Sequence, residues 1–272
     1  NMYDFFTMYA EVDGWEFDGT LIDPLSGKPV CTSLSSADAH RESRSSATGD
    51  TAELAALKQS SYLPDADNLN SRARADVSKD EVATSLTNPL DIWIISRLHE
   101  LVAEVEKQMD AYNIPDALSP ILPFLDDASN WYVRRSRRRF WKSEDDGDKN
   151  DAYRTLHYVL VRLSYILAPF TPFLAEELYH NLTGDDESIH LKDWLTAGAI
   201  NDQVLADMAR TRELINNGLS LRMKQDEHQV SIKVRQPLQR AAYAGAKLTE
   251  YYEQIMAEEL NVKEIRWIES LD

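Results

Sequence analysis

The sequence predicts a mostly α-helical protein, in which a helical bundle is followed by a small strand–helix–strand unit. Apolar residues recur every three or four positions over several long segments, which is the spacing of one helix face. The 9 glycines and 10 prolines among 272 residues are fewer than average, and this composition favours helix. Alternation of apolar and polar residues, which indicates strands, is confined to the C-terminal portion.

The first 87 residues divide into a helix and a polar insertion. Residues 1–18 form the first predicted unit, because Phe5, Phe6, Tyr9 and Val12 have near-helical spacing. Residues 19–87 are rich in serine and threonine, and they offer too little apolar surface to offset the entropy of ordering a core. We therefore predict a flexible polar insertion there, with turn residues at 23–29.

Residues 88–225 carry the strongest helical periodicity and form the predicted bundle. Asn88 is a favourable N-cap, and Pro89 suits the first position of a helix. Residues 152–167 are apolar nearly all round, which is typical of the most buried helix in a bundle. The pattern predicts helices at 88–109, 123–141, 152–167, from 172 onward and at 202–223, with a loop-like segment at 183–200.

Residues 226–272 form the predicted strand–helix–strand unit. Val230, Ile232 and Val234 alternate with polar residues, which predicts a half-buried strand that Pro237 closes. A helix is predicted at 248–260, and a second strand at 262–268.

The most informative segment for function is 131–142, where six cations and no acid occur in twelve residues of a chain with a net charge of -17. On a helix, four of its arginines fall within an arc of about 140° that is centred near Trp131, and Arg137 lies beside the apolar face. Guanidinium groups match phosphate oxygens, so this stripe predicts contact with RNA. Trp131 could stack on an unpaired base, and a buried aromatic side chain is equally expected at this position. The candidate RNA-binding residues are Trp131, Arg134, Arg135, Arg138, Arg139 and Lys142, with Lys233 and Arg235 as a weaker pair on the predicted strand.

An alternative interpretation of the stripe requires no ligand. The chain has 46 acidic residues, and acids on neighbouring helices can pair with arginines inside the protein. Both interpretations remain open at the level of sequence.

The rest of the sequence indicates no catalytic residue and no metal site. It contains no Gly-rich phosphate loop and no nucleophile elbow, and its six histidines lack metal-ligand spacing. The single cysteine, Cys31, excludes an internal disulfide and favours a reducing compartment. No segment has the pattern of a signal peptide or a membrane span, so we expect no membrane contact.

Six segments resemble class I aminoacyl-tRNA synthetases. Residues 88–98 (NPLDIWIISRL) resemble the opening helix of the anticodon-binding domain in the enzymes for isoleucine, valine and leucine. Four later segments are similar to isoleucyl-tRNA synthetases and occur in the same order: 126–141 (DDASNWYVRRSRRRFW), 167–179 (LAPFTPFLAEELY), 233–238 (KVRQPL) and 259–265 (ELNVKEI). Residues 1–17 also resemble the helix that follows the catalytic core in that family.

The resemblance implies a C-terminal fragment that binds the anticodon stem and loop of the tRNA for isoleucine and catalyses nothing itself. The two ATP-handling signatures of the family, the editing domain and the zinc-binding extension have no counterpart here. ATP and Mg²⁺ would therefore belong to an absent catalytic domain, and the fragment would need no cofactor. We expect its partners to be tRNA and the rest of the synthetase chain, and we expect a cytoplasmic monomer. The alternatives are a helical protein-interaction module with an internally paired arginine face, or the matching part of a valyl-tRNA synthetase, against which segments 233–238 and 259–265 speak.

Overall fold

The computed structural model describes residues 2–30, 86–142, 146–223 and 234–269. Most of these residues are helical, as the sequence predicts. The elements in chain order are α1 (Met2–Asp13), α2 (Pro89–Asp110), α3 (Ile114–Leu118), α4 (Ile121–Asp126), a π-helical segment (Asp127–Val133), α5 (Arg134–Lys142), α6 (Asp146–Leu167), α7 (Pro172–Thr183), a 3-10 turn (Ile189–Leu191), α8 (Asp202–Met223), β1 (Leu238–Ala244), α9 (Glu250–Leu260) and β2 (Val262–Ile268).

Helix α6 forms the centre of the bundle. Its residues 152–166 are buried on nearly every side, including Leu156, Val159 and Ile166, which are fully buried. Helices α1, α2, α5 and α7 pack around it. The prediction that this segment is the most buried helix is confirmed, because a helix without a polar face must be covered on all sides.

Helix α2 begins where the sequence predicts. The side chain of Asn88 accepts a hydrogen bond from the backbone N–H of Leu90 at 3.0 Å, and Pro89 occupies the first turn. This arrangement satisfies an N–H that would otherwise lack a partner at the start of the helix. The cap therefore fixes the helix that carries Asp91, a residue of the candidate site.

The π-helical segment lies between α4 and α5, within one continuous helical path. Its wider turns change the angle between successive side chains, so a wheel drawn at a constant 100° per residue does not carry across it. Trp131 nevertheless lies beside arginines of α5, because the guanidinium carbons of Arg134 and Arg135 are 5.8 and 5.5 Å from the centre of its ring.

The C-terminal unit is a two-stranded parallel sheet with α9 as the crossover helix, which confirms the predicted order of elements. The register runs from Leu238 opposite Val262 to Ala244 opposite Ile268. The strand that pairs in the sheet begins after Pro237, later than the sequence predicts, and Val234 and Arg235 lie in a turn. Residues 230–233 lie outside the described part of the chain. Proline lacks the N–H that a ladder needs, so it stands before the strand rather than ending it.

Residues 19–30 are ordered, although the sequence places them in a flexible insertion. Asp23 accepts hydrogen bonds from the backbone of Leu25 at 3.0 Å and from the Ser26 hydroxyl at 2.7 Å, and this confirms the predicted turn. Leu21 and Val30 pack against the core. Apolar residues on either side of the turn anchor it, whereas the remainder of the predicted insertion, 31–85, lies outside the described residues.

Candidate nucleic-acid interface

Helix α5 divides its arginines between two faces. Arg134, Arg137 and Arg138 are exposed, as is Trp141 at 74%. The side chains of Arg135 and Arg139 are only 11% and 12% exposed. The predicted stripe of Arg134, Arg135, Arg138 and Arg139 is therefore not a single open surface, because Arg135 and Arg139 are covered by the residues that they contact.

Arg139 belongs to a buried polar network. Its Nη1 and Nη2 each donate to one carboxylate oxygen of Asp91 at 2.7 Å, and its Nε donates to Asp148 at 2.9 Å. The hydroxyl of Tyr132 also donates to Asp91 at 2.7 Å, and the Asp91 side chain is fully buried.

The pKa values of the network follow from this geometry. Burial lowers the pKa of Arg139, but the hydrogen bonds and the charge of Asp91 outweigh burial, so the pKa is raised. Burial, and then the negative charge of Asp91, raises the pKa of the Tyr132 hydroxyl. Arg139 therefore stays charged and holds α5 against α2.

Arg134 and Arg135 pair with acids of the C-terminal unit. Arg134 donates to Glu259 at 2.6 Å, while Arg135 donates to Glu259 at 2.6 Å and to Glu258 at 2.8 Å. Both acids lie on α9. Internal pairing, the alternative interpretation from the sequence, thus describes Arg134, Arg135 and Arg139, although Arg134 keeps a half-exposed side chain.

Trp131 packs against guanidinium groups rather than standing free. Its ring is half-buried, and its Nε1 donates to the sulfur of Met208 at 3.3 Å. The guanidinium carbons of Arg134, Arg135 and Arg212 lie 5.8, 5.5 and 5.2 Å from the ring centre. These contacts cover part of the ring, and stacking of a base on Trp131 stays a prediction.

For the remaining four candidate residues, the structure shows exposure or no described side chain rather than a contact. The side chain of Arg138 makes no hydrogen bond or ion pair with any residue that the structure describes. Lys142 ends α5, and its side chain lies outside the described part, as does the whole of Lys233. Arg235 is exposed in the turn before β1. Contact of these residues with RNA stays a prediction.

Sequence reasoning passed over Arg137 and Trp141. The guanidinium of Arg137 lies 6.0 Å from the ring centre of Phe5 in α1. A signal was available, because residues 134, 137, 138 and 141 follow the i, i+3, i+4, i+7 spacing of one helix face. This spacing distinguishes the face of these four residues from the face that carries Arg135 and Arg139.

The bundle matches a family model described as the anticodon-binding domain of tRNA ligase, over residues 91–239. The match covers more than half of the 272 residues, and the chain belongs to this family.

Individual relatives carry a more specific name. An isoleucine–tRNA ligase of Treponema denticola is 37% identical over 206 residues, which are 72% of this chain and 18% of the relative. The isoleucine–tRNA ligases of Chlamydia trachomatis serovar A and Clostridium tetani are 42% and 43% identical over 65% of this chain, and the matches cover 18% and 17% of their lengths. The chain thus spans less than a fifth of the curated relatives it matches. Among the described helices, none combines the length and apolar character that a membrane crossing requires.

Proposed function

We propose that this chain binds the anticodon stem and loop of the tRNA for isoleucine, as part of an isoleucine–tRNA ligase. The observation that carries the proposal is the match of the helical bundle to the anticodon-binding family over residues 91–239. The name shared by the relatives supports the choice of amino acid.

Charge supports α5 as the contact surface. A chain with a net charge of -17 repels RNA as a whole, so binding depends on a local cationic surface. Arg134, Arg137 and Arg138 are exposed on one side of α5 and provide such a surface. Arg135 and Arg139 would support it from behind, because they hold the helix in place.

In the proposed whole enzyme, ATP and Mg²⁺ are used by a catalytic part outside these 272 residues. The described residues include no group of three or more acidic, histidine or cysteine side chains that could hold a metal ion. The role proposed for this chain is binding and orientation of tRNA, by a monomer in the cytoplasm. A protein-interaction module is the second candidate, favoured by the internal pairing of Arg134, Arg135 and Arg139.

The test is tRNA binding by the purified chain, measured by fluorescence anisotropy over a salt series. Three phosphate contacts predict that the logarithm of affinity falls with the logarithm of salt with a slope of roughly -2 to -3. The double variant Arg134→Ala, Arg138→Ala should weaken binding and flatten the slope.

The matched control removes two cations elsewhere on the surface. Arg240 and Arg266 are 57% and 53% exposed and both pair with Glu264 on the sheet. Replacing both by alanine changes the net charge equally and should leave tRNA binding nearly unchanged. Equal losses in the two double variants would remove α5 as the contact surface, and absence of binding at any salt concentration would refute the proposed function.

A further inference from the structure

The outer face of α5 combines three guanidinium groups with an exposed indole. Arg134, Arg137, Arg138 and Trp141 lie within an arc of about 100°, and about 10 Å of helix separates the first from the last. Arg137 and Arg138 form no ion pair with the described residues. This face is distinct from the one on which Arg135 and Arg139 are paired.

Trp141 is the most exposed of the six tryptophans. Its residue surface is 74% exposed, against 37% for Trp194 and 2% for Trp93, and the other three are half-buried. A large aromatic side chain is normally at least partly covered, so an open indole beside two arginines that form no ion pair with the described residues marks a surface that a partner can cover.

The charges favour RNA as that partner over an apolar protein surface. An apolar surface that covered Trp141 would also remove water from Arg137 and Arg138 without offering them a counter-charge, which is costly. A nucleotide provides both complements, because its base has a flat face for the indole and its phosphates accept from guanidinium groups. The length of about 10 Å matches roughly three nucleotides at 3.4 Å each.

We infer that Trp141 stacks on an unpaired base of the bound RNA, while Arg137 and Arg138 hold the flanking phosphates. This inference rests on the proposed function, and it deepens that function by assigning the contact of Trp141 to the loop of the RNA rather than to the stem. Bases in a duplex are stacked on each other and offer no free face, whereas loop bases can be turned outward. Trp141 thus takes the role that the sequence suggests for Trp131.

The experiment compares Trp141→Ala with Phe173→Ala on two RNA probes. Phe173 lies on α7 and is 91% exposed, so Phe173→Ala is a matched control that also removes an exposed aromatic side chain. The probes are a hairpin with an unpaired seven-nucleotide loop and a blunt duplex of the same length. Helicity measured by circular dichroism confirms that both variants stay folded, since neither position contributes to the core.

Loss of one base stack predicts an affinity for the hairpin about 5- to 100-fold lower in Trp141→Ala, with little change for the duplex. The salt slope should stay as in the wild type, because stacking releases no counterions. Phe173→Ala should match the wild type on both probes.

Three results would overturn the inference. If Trp141→Ala binds the hairpin like Phe173→Ala while the wild type shows salt-dependent binding, the proposed function stands and the stacking role is wrong. If hairpin and duplex affinities fall equally, the face contacts only the RNA backbone. If RNA affinity is unchanged but self-association measured by sedimentation changes, the indole contacts protein instead. A wild-type chain that binds neither probe nor tRNA would refute the proposed function itself.

Discussion

The buried pair of Asp91 and Arg139 should be worth several kcal/mol to the fold, but only as a pair. In Arg139→Met, the fully buried Asp91 carboxylate keeps the Tyr132 hydroxyl but loses both guanidinium hydrogen bonds. An uncompensated buried charge of this kind costs about 3–5 kcal/mol. Asp91→Leu should cost a similar amount, because it leaves Arg139, whose side chain is 12% exposed, with Asp148 alone.

The double variant Asp91→Leu, Arg139→Met should lose less unfolding free energy than the two single variants lose together. Once both charges are gone, the remaining cost is chiefly the unpaired Tyr132 hydroxyl, about 1–3 kcal/mol. The coupling free energy between the two positions is therefore expected to be roughly 3–9 kcal/mol, from the same penalties.

Urea unfolding followed by circular dichroism gives each free energy of unfolding by linear extrapolation. Arg266→Met is the control, because it breaks an ion pair in which both side chains are exposed, and such pairs contribute little. The reasoning would be refuted if the loss in the double variant equals the sum of the two single losses within about 0.5 kcal/mol, because independent sites add in that way.

Two further predictions concern the environment of His99. Gly198→Ala would place a methyl group within 2.8 Å of both ring nitrogens of the buried His99, so we expect a loss of about 1–3 kcal/mol in urea unfolding, and an equal midpoint would contradict that contact. Burial lowers the pKa of His99 and of His157 below 6.5, so the unfolded chain binds more protons than the folded one between the folded pKa and 6.5. The stability that depends on the neutral rings is complete above pH 6.5 and is lost as the pH falls. The urea midpoint of the wild type should therefore drop between pH 7.5 and 5.5. The midpoint of His99→Gln should drop less over the same range.

The helices that the sequence predicts correctly carry their own local signals. Asn88 and Pro89 mark the start of α2, and the unbroken apolar character of 152–167 identifies the central helix. The bounds of α8 agree with the predicted 202–223 because one apolar face continues throughout. In each case the information lies within a few turns of helix, where spacing alone decides the outcome.

The arginine face could not be derived from spacing, because its partners are remote in sequence. Glu259 lies 125 residues from Arg134, and Asp91 lies 48 residues from Arg139. Only the packing of α9 and α2 against α5 determines which guanidiniums find acids.

The ion pairs between α5 and α9 couple anion binding on the cationic surface to the attachment of the C-terminal unit. A phosphate bound by Arg134 competes with the carboxylate of Glu259 for the same guanidinium, while Glu259 keeps Arg135 as its other partner. The measured affinity of α5 for any polyanion is therefore a difference between two competing anions. By thermodynamic reciprocity, whatever loosens α9 strengthens that affinity, and an occupied Arg134 loosens α9 by the same free energy.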